Sequence, residues 1–213
     1  MATRKQDPAR KVIDATLKLA AERDWQDVTL SDIAGEAGVS LAVIHERFGS
    51  KQAILAAYGR EVDAAVLGDS DSIDMNGSPR DRLFDVLMRR FDELSRHKAA
   101  IANILDSYRC QPVNALCALP GLGRSMAWML EVAGVSAGGW RGAVRVKGLS
   151  AIYLSVLRVW LKDDSEDMAK TMSALDRALA RADNLLGRLR RRRRGRRAQE
   201  GTSDTEGAAT APG

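Results

Sequence analysis

Few side chains in this chain are placed to do covalent chemistry. Its only two histidines, His45 and His97, lie far apart, and neither has a Cys or Ser partner at a diagnostic spacing. The sequence has no Gly-rich phosphate loop and no metal-ligand cluster, so neither catalysis nor a metal or cofactor is expected. Cys110 and Cys117 stand seven residues apart. They read either as reduced thiols on a helical segment of a cytosolic protein or as a redox-sensing pair. The chemistry the sequence does set up is recognition. Thr29 followed by Asp32 makes a capping-box pattern, Gly38 suits a left-handed helix end, and Ser40 suits a second N-cap. These residues bound two very short helices, 30–37 and 41–48. Two short capped helices across a Gly turn are the physical content of a helix-turn-helix.

The elements that must position this pair are all helical. A first helix over 8–24 carries Ile13, Leu17, Ala20 and Ala21 on one stripe, widened by Val12 and Leu19. Ile33, Ala34 and Ala37 can meet Ile44 and Phe48 in a small core. Leu41, Ala42, Val43, His45 and Glu46 are then left outward. Ser50 caps a fourth helix, about 51–66. The Gly/Ser/Asp-rich stretch 67–79 reads as a loop, and Pro79 suits the start of a helix over about 80–96. A helix over 98–109 follows. Residues 110–123 hold two prolines and two glycines and read as broken or as a short helix. A helix over 124–133 follows, then a break at Gly134, Gly138 and Gly139. The spacing predicts long helices over 140–162 and 165–190. In the latter, Met168, Met172, Leu175, Leu179, Ala182, Leu186 and Leu189 fall at alternating steps of four and three, a heptad seam. Such a seam serves either an intramolecular bundle or, with the neighbouring helix, a homodimer interface of Tyr153, Leu157, Met172, Leu175, Leu179 and Leu186.

Composition agrees with an all-α fold of about nine helices: 45% of residues are apolar and only 5 are proline. No run of about 18 uncharged apolar residues is present, so no stable membrane insertion is expected. The start MATRKQDPARK lacks a signal-peptide pattern, and the expected location is cytoplasmic. The net charge of +5 rests on eight arginines between Arg188 and Arg197; the rest sets 25 basic residues against 28 acidic ones. That run reads either as a patch for DNA backbone or an anionic membrane, or as a solvated tail. The expected organisation is a helix-turn-helix module over 1–66, a loop over 67–79, a helical ligand-binding and dimerisation bundle over 80–190, and a basic then disordered tail over 191–213.

The stretch VTLSDIAGEAGVSLAVIHERFGSKQAIL, residues 28–55, resembles the signature of the TetR family of bacterial transcriptional regulators. Thr29, Ile33, Ala34, the run Ala37-Gly38-Val39-Ser40, Phe48, Ser50 and Lys51 carry the likeness, and it extends over residues 8–66. The resemblance implies a TetR-like fold and a homodimer whose two recognition helices enter successive major grooves about 34–36 Å apart. It implies operator binding, repression, and release by a small hydrophobic effector. It places Thr29, Ser40, His45 and Lys51 at the DNA backbone and Leu41, Ala42 and Val43 near base edges, with Glu46 and Arg47 completing the face. The chain departs from the family at that face, where Tyr is usual at His45, and Lys or Arg, Gly and Thr are common at Leu41, Ala42 and Val43. Leu, Ala and Val make no bidentate hydrogen bonds to bases and touch only thymine methyls. Residues 1–66 hold nine basic and ten acidic side chains, a weak footprint for phosphate, partly offset by Arg4, Lys5, Arg10 and Lys11.

Farther on, Trp160-Leu161-Lys162-Asp163-Asp164-Ser165 followed by Leu175-Asp176-Arg177 is similar to the C-terminal part of the TetR-fold lipid-binding proteins of ubiquinone biosynthesis. That resemblance implies an apolar isoprenoid or acyl ligand. The plainer alternative is that Asp164 or Ser165 caps the last helix and Trp160 is core. Phe91, Tyr108, Met126, Trp128, Met129, Tyr153 and Trp160 supply the large or soft side chains for a pocket wall, or else ordinary core. Two functions therefore compete: an operator-binding repressor controlled by an apolar effector, and a TetR-fold lipid- or quinone-precursor-binding protein without sequence-specific DNA binding.

Overall fold

The computed structural model describes residues 7–69, 73–110 and 112–185. Among them the chain forms nine helices and no strand: α1 (Pro8–Glu22), α2 (Leu30–Ala37), α3 (Leu41–Arg47), α4 (Lys51–Gly68), α5 (Pro79–Ser95), α6 (Lys98–Cys110), α7 (Pro112–Val132), α8 (Gly139–Trp160) and α9 (169–185). The expected arm residues Arg4 and Lys5, the Arg188–Arg197 run, Leu186 and Leu189 lie outside the described residues.

Local rules set most boundaries. Ser78 and Asp81 form a reciprocal capping box at α5, with Pro79 in the first turn where its missing N–H costs nothing. Arg82 then holds the preceding loop against the end of α7, its Nε donating to the Ala133 carbonyl at 2.7 Å and its Nη1 to the Gly77 carbonyl at 2.7 Å. Gly142 is fixed by close approach: a Cβ there would lie 1.9 Å from the carbonyl oxygen of Ala137.

Two elements differ from the sequence expectation. Residues 110–123 are not broken; from Pro112 they run into one helix, α7, with Pro120 inside it. Proline there removes the bond to the Leu116 carbonyl, but residues 116–121 are all exposed, so water can take the freed oxygen. The last helix begins at 169 rather than 165. Its cap is Asp163, not Asp164. The Asp163 carboxylate accepts from Thr171 N at 2.8 Å and Thr171 Oγ1 at 2.7 Å, while Asp164 is exposed. Ser165 does contribute, accepting from Ala169 N at 3.1 Å. Met168, expected as the first seam position, instead sits before the helix with φ 52°.

The apolar side chains gather into two cores. The first joins α1 to α4 through Val12, Leu17, Ile33, Ile44 and Ile54, and α6 adds Ala100 and Ile104. The second joins α4, α5, α7, α8 and α9 through Val62, Leu87, Phe91, Met126, Met129, Trp160 and Leu175. The cores therefore do not part at residue 66. Helix α4 enters both, Tyr58 packs against both, and α6 from the expected bundle lends side chains to the first.

Candidate functional site

The helix-turn-helix is built as its residue types dictate. Thr29 Oγ1 accepts from Asp32 N at 3.1 Å, and the Asp32 carboxylate accepts from Thr29 N at 2.8 Å. Hydrogen bonds from Thr29 hold the Asp32 carboxyl below the usual carboxylate range. Gly38 ends α2 at φ 63°, a left-handed conformation that a Cβ would strain. Ser40 Oγ accepts from Val43 N at 3.4 Å and starts α3. Ile33, Ala34 and Ile44 are buried, with Ala37 and Phe48 packed beside them. This fixes which face of α3 looks outward. Leu41, Ala42, His45, Glu46 and Arg47 are exposed and Val43 is half-buried.

The expected DNA contacts separate into two groups. Leu41, Ala42, Val43, His45 and Glu46 share the outward surface of α3. Arg47 shares it but lies 3.7 Å from Asp7. Lys51 does not join them. Its ammonium turns inward and donates to the Trp25 carbonyl at 2.6 Å and the Val28 carbonyl at 2.5 Å, over the Trp25 ring at 4.1 Å. Burial lowers its pKa, against Asp24, Asp27 and Asp32 nearby. Lys51 thus clamps the turn before α2 rather than presenting a free charge to phosphate. Arg10, expected in a basic arm, is likewise taken up, by Asp14 at 3.0 Å and Glu61 at 2.6 Å.

Five of the seven expected pocket residues meet in the second core. Phe91, Met126, Met129, Tyr153 and Trp160 are buried together, with the Phe91 ring 5.2 Å from Tyr153 and 5.9 Å from Trp160. Two do not belong. Tyr108 packs against the first core, and Trp128 is 50% exposed on the outside of α7. A groove of about 270 Å³ lies elsewhere, between α1 and α6, lined by Leu17, Lys18, Arg96, His97 and Ala99 among others.

The expected dimer seam faces the wrong way for a partner. Tyr153, Leu157, Leu175 and Leu179 are buried inside the one chain, and Met172 is half-buried. A 4-3 spacing shows that a helix has one apolar side; here that side joins the second core of the same chain. The other side is exposed: Trp140, Val144, Gly148, Ala151 and Ser155 on α8, and Arg177, Arg181 and Leu185 on α9.

The sequence reading missed a polar group at the heart of the second core. Arg90 and Asp63, both under 10% exposed, form an ion pair, and Asp63 accepts from Ser125 Oγ at 2.5 Å. Burial works against the Arg90 charge, but Tyr153 and Asp63 beside it outweigh this and hold its pKa above its ordinary value. The signal was present in α5. Arg90 falls three residues after Leu87 and four before Leu94, on the buried stripe of the helix. Among the described residues, no group of three or more His, Cys, Asp or Glu could hold a metal, and no helix is long and apolar enough to cross a membrane.

Comparison with known proteins matches two separate segments of the chain. Residues 12–58 match the family model of bacterial regulatory proteins of the tetR family, and residues 145–186 match the COQ9 model. The HTH-type transcriptional regulator AlkX of Mycobacterium tuberculosis is 41% identical over 66 residues, covering 30% of this chain and 31% of that protein. The chain therefore matches under a third of that relative's length. A TetR transcriptional regulator from Nitrosomonas europaea superimposes with a TM-score of 0.66 at 24% identity, covering 82% of this chain and 97% of that one. FadR of Thermus thermophilus, a TetR-family repressor solved with lauroyl-CoA, gives a TM-score of 0.55 at 22% identity over 81% and 93%. Residues 12–58 thus form a module of the tetR-family type, and the likeness of the chain as a whole to the solved TetR regulators is one of fold.

Proposed function

We propose that this chain is a cytoplasmic TetR-type transcriptional regulator, a repressor that binds operator DNA as a homodimer and is released by a small apolar effector. The observation that carries the reading is the capped α2–α3 pair, whose buried side is fully packed and whose other side, on α3, is bare. Residues 1–66 supply the DNA-reading module in this reading, and residues 80–185 supply the effector core and the dimer face. Thr29 and Ser40 lie at the ends of α2 and α3 that would approach phosphate, with His45 and Arg47 beside them. Leu41, Ala42 and Val43 meet thymine methyls, and Glu46 accepts from a cytosine amine. The outward faces of α8 and α9, through Val144, Gly148, Ala151, Ser155 and Leu185, bring two copies together. The apolar effector fits the packing of Phe91, Met126, Met129, Tyr153 and Trp160, and the acyl ligand carried by FadR is of that class.

A mobility-shift assay with the promoter region of the chain's own gene tests this reading. A sequence-specific shift that weakens with salt is expected. A second reading, lipid binding without operator recognition, draws on the COQ9 match over residues 145–186 and on the apolar, acidic outer face of α3. Failure of any specific shift at low ionic strength, together with an apolar ligand retained in native mass spectrometry, selects that reading.

A further inference from the structure

Helices α7 and α8 carry a charge balance unlike the rest of the molecule. Residues 112–162 contain six basic side chains and a single acidic one, Glu131. Among the described residues, every ion pair draws its cation from positions 10–109. Arg124, Arg141, Lys147 and Arg158 are exposed and enter none of these pairs. Large apolar side chains are bare beside them: Val113 is 68% exposed, Leu116 64%, Leu119 48% and Trp128 50%, all on α7. Val113, Leu116, Pro120, Arg124 and Trp128 recur every three or four residues, so they share one face of that helix. Met126, Met129 and Leu130, on its other side, are buried. Toward its start the helix is bare all round. Residues 116–121, Leu-Cys-Ala-Leu-Pro-Gly, are exposed without exception, and no charge stands between Arg109 and Arg124.

The chemistry of this face narrows what covers it. Unpaired cations attract an anionic partner. Nucleic acid supplies anions, but phosphate contacts leave bare Val113, Leu116 and Leu119 without a role. A second copy would set like charge against like. A folded protein covers one side of a helix, whereas residues 116–121 are bare on every side. The headgroup layer of a bilayer encloses a shallow helix. It takes in leucine, valine and tryptophan, and arginine reaches its phosphates along an apolar stem. That layer also holds water for the Leu116 carbonyl left free by Pro120.

We propose that the outer face of α7 docks on an anionic lipid surface without crossing it. This goes beyond the regulator reading and does not depend on it. The test mixes the full chain with vesicles of phosphatidylcholine holding about a third phosphatidylglycerol, and with vesicles of phosphatidylcholine alone. Co-sedimentation with the anionic vesicles is expected to be about tenfold tighter or more, and to weaken with salt. In Trp140→Phe, bromine high on the acyl chains should quench Trp128, while Trp25 and Trp160, at 4% and 1% exposure, stay out of reach. Leu116→Asp and Arg124→Glu should each lower vesicle affinity about tenfold or more. Both sites are exposed, so the thermal midpoint should hold. Val113→Asp repeats the test should Leu116→Asp lower that midpoint. Variants that bind vesicles as the parent does place the binding in the Arg188–Arg197 run and overturn the proposal. Equal binding to neutral vesicles, no binding, or an unquenched Trp128 overturns it too. Loss of self-association by Leu116→Asp in sedimentation velocity, with no vesicle binding by the parent, assigns the face to a second copy. Loss of affinity for random duplex DNA, again without vesicle binding, assigns it to nucleic acid. Either result overturns the lipid assignment.

Discussion

The two cores of this chain handle charge in opposite ways. In the first, no ionisable side chain is buried among the described residues; the buried polar residues there, Thr16 and Ser107, turn their hydroxyls back onto the carbonyls of Val12 and Ile104. Its charges sit on the rim, where Lys18 meets Glu36 at 2.6 Å and Lys51 closes on two carbonyls. The second core folds around Arg90 and Asp63. An interior ion pair is weak evidence for stability, because desolvation offsets most of the attraction. A core meant only to be rigid would resemble the first. The contrast therefore marks the first core as scaffold for α3 and the second as the place where polarity is kept at a cost in stability.

The largest test of that contrast breaks the pair. Asp63→Ala leaves a buried guanidinium uncompensated, and about 3–5 kcal/mol of unfolding free energy should be lost. Asp63→Leu combined with Arg90→Met should recover most of it in urea unfolding. A double variant as weak as the single one would mean that the polar group is needed for the fold itself. In the first core the loss comes from apolar packing instead. Ile33→Ala, at a fully buried site, should cost about 3 kcal/mol through lost apolar burial and the cavity left behind.

A smaller effect lies at the edge of the second core. Burial works against the Asp163 charge, but hydrogen bonds from Ser165 and Thr171 prevail and hold its carboxyl well below the usual range. A carboxylate whose pKa is lower folded than unfolded gives stability that is present above about pH 4. That stability is lost as the pH falls toward the folded value. Asp163→Asn should thus cost about 1–2 kcal/mol at pH 7 and flatten the acid limb of the stability curve below pH 4. An acid limb identical to that of the parent chain would remove Asp163 from the account.

What was legible in the sequence follows the range of each interaction. The caps Thr29, Ser40, Ser50 and Gly38 act within a few residues, so their positions were readable and α2 runs over the residues expected. Helix α7 was misread because the rule about interior proline is local, whereas the exposure that softens it depends on packing. Of the expected α9 seam, Leu175 and Leu179 are buried as the spacing implies, but spacing does not say whether their partner is the same chain or another. Asp63 and Arg90 lie 27 residues apart, and Lys51 bonds carbonyls 23 and 26 residues away. Pairings at that distance leave no mark in local pattern. The outer face of α3 was legible as residues, since the buried side was, yet its task is not written in which side chains are left over.

The smallest expected effect on stability separates scaffold from reader. Leu41 is 49% exposed at the start of α3 and contributes little to the first core. Leu41→Ala should change unfolding free energy by less than about 0.5 kcal/mol. If the bare face reads DNA, the same substitution removes an apolar contact with a thymine methyl and should weaken the operator complex roughly three- to tenfold, of the order of one base contact. Affinity for unrelated DNA should stay constant, because that affinity comes from phosphate charge, and Leu41 carries none. The salt slope should stay constant for the same reason. Parallel mobility shifts on operator and scrambled duplexes at two salt concentrations check all three expectations. Equal loss on both duplexes would mean that α3 has moved as a body, and the division between a rigid scaffold and a separable reading face would fail. No loss on either would place the reading elsewhere than the apolar end of α3.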